Sequence, residues 1–121
     1  LSTAPHLHDA STRQDLLDWG PQPDAISGAS HSTGRLVYKG PDNRPEVGIW
    51  VCTPGCWRLT IPRDEFCHFV AGRATYRHDG GEVIEITPGT VVCFPAGWTG
   101  TCEVHETLRN TYYLTDREPA P

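Results

Sequence analysis

Acid-base or ligand chemistry inside a small protein begins with a polar group that the chain withdraws from water, and Glu65 is the residue placed for it. It opens the run Glu65-Phe66-Cys67-His68-Phe69-Val70. Alternation along a strand puts Glu65, Cys67 and Phe69 on one face and Phe66, His68 and Val70 on the other. A carboxylate among apolar neighbours must find a donor or shift its pKa upward. A second alternating run, Trp57-Arg58-Leu59-Thr60-Ile61, turns Trp57, Leu59 and Ile61 to one side and Arg58 and Thr60 to the other. Trp57, Leu59, Ile61, Glu65, Cys67 and Phe69 are therefore the expected lining of a small-molecule pocket, apolar walls around a single polar anchor. Glu65 would accept a cation or a hydrogen-bond donor there, or act as general base if a reaction takes place. The competing reading makes Glu65 an interior acid tied down by backbone donors or an arginine, Arg63 or a distant one rather than the outward-facing Arg58.

Other reactive side chains are less suggestively arranged. Cys52, Cys56, Cys67, Cys93 and Cys102 make an odd set without paired CxxC knuckles, so packed, inert thiols in a reduced, cytoplasmic protein are expected. Cys52 and Cys56 flank Thr53-Pro54-Gly55 and could face each other across a turn, as a bridge or as half of a metal site. His6-Leu7-His8 has chelating spacing but lies in a segment expected to be a solvated tail.

The elements that must position these residues read as strands. From Glu46 onward, short apolar or alternating segments are separated by turn signals: Val47 to Cys52, Trp57 to Ile61, Glu65 to Ala71, Gly72 through Tyr76, Val83 to Thr87, Val91 to Phe94, Thr101 to Val104 and Asn110 to Leu114. Asp79-Gly80 marks a hairpin, and Pro88-Gly89 and Pro95-Ala96-Gly97 mark further turns. The pattern predicts an antiparallel sandwich or barrel over residues 46–115. Residues 1–45 form an N-terminal arm with a short helix over Thr12 to Trp19, capped by Ser11 or Thr12 and stopped by Gly20-Pro21, and one edge strand near Arg35 to Tyr38. Residues 116–121 are expected to be a flexible tail.

Composition excludes several classes. With 121 residues and 13.4 kDa the chain makes one domain. Its 12 Gly, 11 Pro and absent Met favour turns over long helices. Formal charge is -5, and the ten basic residues are scattered singly, so no nucleic-acid footprint is present. No apolar run approaches the roughly 20 residues that span a bilayer, and the opening residues lack a secretory pattern.

Glu65 followed after six residues by Gly72, and Gly89 followed after five by Pro95-Ala96-Gly97, fit halves of the two cupin motifs. Together with Gly48 to Gly55 and Pro62 to His68, they make the chain resemble the small single-domain cupins related to (S)-ureidoglycine aminohydrolase. The resemblance implies an all-β, double-sheet jelly-roll barrel, commonly a homodimer, with an internal ligand pocket. It also suggests a hydrolase acting on ureides or other small nitrogenous metabolites. The family's metal-binding histidines do not carry over: their positions are Leu59, Ile61 and Gly100, and only Glu65 matches. Catalytic metal sites take about three protein ligands, so neither a metal nor another cofactor is expected unless Cys67, Cys93, Cys102, His31 or His105 rebuild a site. The expected partners are a small-molecule ligand and a second copy of the chain joined through the stripe Phe66, His68 and Val70, and a non-catalytic structural or regulatory homodimer is the third functional reading.

Overall fold

The computed structural model describes residues 3–41, 45–115 and 117. Its nine strands are β1 (Leu17–Pro21), β2 (Ala25–Gly28), β3 (His31–Lys39), β4 (Glu46–Cys52), β5 (Gly55–Thr60), β6 (Glu65–His78), β7 (Val83–Ile86), β8 (Val91–Phe94) and β9 (Thr99–Leu114). All pair antiparallel. The architecture is the all-β jelly roll that the turn-punctuated alternation implies.

Two long strands bind the layers together. β9 pairs with β4 through residues 108–114 and with β5 through 99–104, while β6 follows its opposite edge along both halves. One layer therefore holds β1, β3, β4, the end of β9, the start of β6 and β8; the other holds β2, β5, the start of β9, the end of β6 and β7. The sequence pattern splits β6 and β9 into two strands each, yet both are continuous. Register shifts between Phe69 and Ala74 bend the β6–β9 pair without breaking it. Gly72 is required at that bend: its φ is +88°, and a Cβ there would lie 2.2 Å from the Thr107 carbonyl oxygen.

The arm is the main correction. No helix forms over Thr12 to Trp19; the Arg13 N–H and the Thr12 N–H both donate to the Asp9 carbonyl in a single turn, and Leu17 to Pro21 runs as a strand against β3. Local helical spacing gives way to pairing that carries Trp19 onto the sheet, a tertiary override of weak propensity. The strand expected at an edge lengthens into β3 and is interior, because β1 pairs with it on one side and β4 on the other; β1 and, along β5 in the other layer, β2 are edge strands. Arg109 and Arg35 hold the preceding segment through the carbonyls of Ala10 and Asp15. His6 and His8 are exposed and their rings meet edge-on at 5.2 Å. The tail at 116–121 lies outside the described residues except for Arg117, which pairs with Asp64.

Between the layers, Phe69, Phe94, Ile86, Leu108, Cys52 and Cys102 are fully buried. Tyr76 joins them, its ring centroid 5.0 Å from that of Phe94 and 6.1 Å from that of Phe69.

Candidate functional site: a cavity between the sheets

Register builds the site row by row. Glu46 of β4, Leu114 of β9 and Glu65 of β6 lie side by side; the next inward row is Gly48, Tyr112 and Cys67, and the next is Trp50, Asn110 and Phe69. The facing layer contributes Trp57 and Leu59 from β5 and Tyr76 from β6, with Ile61 and Phe94 beside them. β1 brings Trp19 to the rim, followed by Gln22. These residues enclose a cavity of about 300 Å³, at the small end of the range for ligand sites.

Two glycines make the room. A Cβ on Gly48 would sit 2.9 Å from the Tyr112 hydroxyl; its absence lets the phenol reach across β4 and donate to Glu46 Oε2 at 2.5 Å. A Cβ on Gly34 would fall 2.2 Å from the Trp19 ring, so the bare glycine lets Trp19 pack directly against β3. Trp50 Nε1 donates to Ser32 Oγ at 3.0 Å, and Ser32 Oγ in turn donates to Gln22 Oε1 at 2.5 Å. This relay fixes one indole wall and one rim amide.

The electrostatics centre on Glu65. Burial pushes its carboxyl up to about 7, opposed by a hydrogen bond from Cys67 and by Arg63, and reinforced by repulsion from Glu46. The Cys67 thiol donates to Glu65 Oε2 at 3.6 Å, and burial, then the Glu65 charge, raises its own pKa. Burial followed by its bond to Glu46 likewise raises Tyr112. The site thus holds a glutamate that keeps its proton to higher pH than an exposed one, beside a thiol and a phenol that stay protonated at neutral pH.

The structure brings together Trp57, Leu59, Ile61, Glu65 and Cys67 as lining residues. Phe69 shares their inward orientation but stands outside the cavity, fully buried and packed on Tyr76. The Cys67 thiol donates to Glu65, Arg63 stands near enough for its charge to oppose the rise in the carboxyl's pKa, and Arg58 pairs with Asp79 on the outside. Sequence reasoning missed Glu46, Trp50, Tyr112 and Trp19. The alternation Glu46, Gly48, Trp50, Cys52 carried the signal for the first two, but a strand begun at Val47 left Glu46 out.

A resident metal does not fit the donor set. Glu46 and Glu65 are engaged by a phenol and a thiol, and no imidazole lines the cavity among the described residues. The alternative ligands are dispersed: His31 pairs with Asp18, His105 bonds Thr75, and Cys93 is exposed. Among the described residues no group of three or more His, Cys, Asp and Glu could hold a metal ion. All five cysteines are free thiols, including Cys52 and Cys56.

The sequence pattern of the EutQ-like cupin domain matches residues 39–112. The chain belongs to this family. Solved structures agree on the fold of this cupin. The EutQ protein of Clostridium difficile superposes with a TM-score of 0.61 at 16% identity, over 71% of this chain and 68% of that one. A protein of unknown function from Pseudomonas syringae pv. tomato reaches 0.74 at 18% identity, over 84% of this chain but only 45% of its own length. A protein from Thermotoga maritima gives 0.53 at 26% identity, over 55% of this chain and 75% of that one. No curated protein matches the chain. No helix among the described residues is long and apolar enough to cross a membrane.

Proposed function

We propose that this cupin binds a small nitrogenous molecule in the cavity between its sheets, with Glu65 as the anchor and Trp57, Leu59, Ile61 and Cys67 as contacting walls. The observation that carries the reading is a carboxylate desolvated inside a cavity whose lining, among the described residues, includes no Lys, Arg or His. An acid buried in this way, with the Cys67 thiol on one of its oxygens, can accept a further hydrogen bond from a ligand N–H. Ureides head the list of compounds to test, because the spacing around Glu65 resembles that of the ureidoglycine aminohydrolase relatives.

The test is a thermal-shift screen of small ureides, amides and amines against the wild type and Glu65→Gln. At least one compound should raise the wild-type midpoint and lose most of that effect in the variant. Shifts that are identical in the two proteins across the whole panel would sink the reading.

A further inference from the structure

Glu65 is not the only acid in the cavity, and the second one changes what fits. Glu46 and Glu65 flank Leu114 in one register row, so their Cα atoms are two strand spacings apart, roughly 10 Å, and their charges repel. Each carboxyl has Oε2 engaged, by Tyr112 and by Cys67 respectively. Neither Oε1 receives a donor from the described residues. Two rows deeper in the same wall, Asn110 is 3% exposed and its Oδ1 is buried without a partner. Acceptors are in excess. Against them stand the amide N–H groups of Gln22, whose carbonyl is occupied by Ser32. The walls are aromatic: Trp50 and Trp57 meet at 72° with centroids 6.2 Å apart, forming a corner, and Trp19, Tyr76 and Phe94 extend it. Aromatic faces attract cations, most strongly where water is excluded.

We infer that Glu46, Glu65 and the tryptophan corner form one site for a small organic cation bearing N–H donors, a protonated alkylamine, with Glu46 a ligand-binding residue alongside Glu65. The inference rests on the cavity being a ligand site and narrows its occupant to a positive charge. A primary ammonium carries three N–H donors, which suits a wall of unpaired acceptors. Tetramethylammonium would satisfy the indoles and leave the carboxylate oxygens without donors, and a carboxylate ligand would be repelled. Loading also moves a proton. Glu65 faces Glu46 from β4, Tyr112 from β9, and Cys67 and Tyr76 from its own strand, with Arg63 just before it; β5 and β8 present only Trp57, Leu59 and Phe94. Below neutrality an arriving cation displaces the Glu65 proton to the buffer.

The experiment is calorimetric titration of the full chain with n-butylammonium, butyramide, butyrate and tetramethylammonium at about pH 8, where Glu65 is ionised. It is repeated on Glu46→Gln and Glu65→Gln, each checked for a cooperative unfolding transition. n-Butylammonium should bind the wild type, bind each variant about tenfold or more weakly, and outcompete tetramethylammonium; butyrate should not bind. Butyramide or a ureide binding in a Glu65-dependent way while n-butylammonium does not would overturn the cation and leave the pocket standing. Unchanged n-butylammonium affinity in Glu46→Gln would overturn the part given to Glu46. Failure of every compound, ureides included, would sink both readings. The wild type alone gives a second readout should a variant not fold. At about pH 6, n-butylammonium binding should release protons, seen as different apparent enthalpies in phosphate and MES, and equal enthalpies would contradict the shared site.

Discussion

The two surfaces of the same strands treat carboxylates in opposite ways. On the outside of β6 and β9, Arg73 holds Glu106 at 2.6 Å and Arg77 holds Glu103 at 3.1 Å, while Arg58 of β5 grips Asp79 with both guanidinium nitrogens. Inside, Glu46 and Glu65 receive a phenol and a thiol, and among the described residues no arginine lines their cavity. The consequence is visible in proton affinity: the Arg58 hydrogen bond draws Asp79 down to about 2, and burial drives Glu65 up to about 7. Arginine is plentiful in this chain and is spent where water already screens the charge and pairing contributes little. Burial of Glu65 opposes stability once the carboxyl ionises, and carboxylates perturbed in this way are common at functional sites.

The largest effect separates cavity wall from core. Phe69→Ala should destabilise the fold by about 3–5 kcal/mol, measured by urea unfolding. Phe69→Leu, which retains most of the volume, should leave n-butylammonium binding unchanged, because Phe69 does not line the cavity. A large loss of affinity in Phe69→Leu would return it to the ligand-binding set.

The next effect tests the inner acid directly. The folded-state pKa of Glu65, about 7, lies above its ordinary 4.5, so the folded chain keeps a proton that the unfolded chain releases. The Glu65 contribution to stability should therefore be fully present below the ordinary value and be lost as pH rises from 4.5 to about 7. Glu65→Gln should flatten that slope and gain on the order of 2 kcal/mol at about pH 8, read from unfolding curves at several pH values. A slope that survives the substitution would place the responsible proton elsewhere.

Smaller still, Tyr112→Phe should lose about 1 kcal/mol by removing the donor to Glu46. Gly48→Ala should act on the same contact by displacing the phenol. Smallest of all, Arg73→Ala on the outer surface should change stability by less than about 1 kcal/mol, and that change should shrink in high salt. An outer pair that proved more important than the Tyr112 contact would invert the comparison.

Much of the barrel was legible in the chain because alternation and turn chemistry act locally. Trp57, Leu59 and Ile61 declare their shared face by spacing alone, and the Glu65 to Phe69 run declares another. The bends of β6 and β9 were not legible, since Gly72 interrupts an alternation whether a strand ends there or bends, and only the approach of Thr107 decides. β1 was misread because Leu16 and Trp19 have helical spacing, while the strand that overrides it depends on Gly34, distant in sequence. Glu46 is the instructive omission. Its neighbour in the site, Glu65, is 19 positions away along the chain and joins it only through their common partner Leu114 on β9. Strand order, which no local pattern encodes, is what turns one candidate acid into a pair.

The most direct measurement is a carbon-13 NMR titration of the Glu65 side-chain carboxyl, assigned by comparison with Glu65→Gln, with and without n-butylammonium. A midpoint near 7 that moves toward the ordinary glutamate value as the cation is added is the predicted result. A midpoint already near 4.5 that does not respond to the amine would contradict the account.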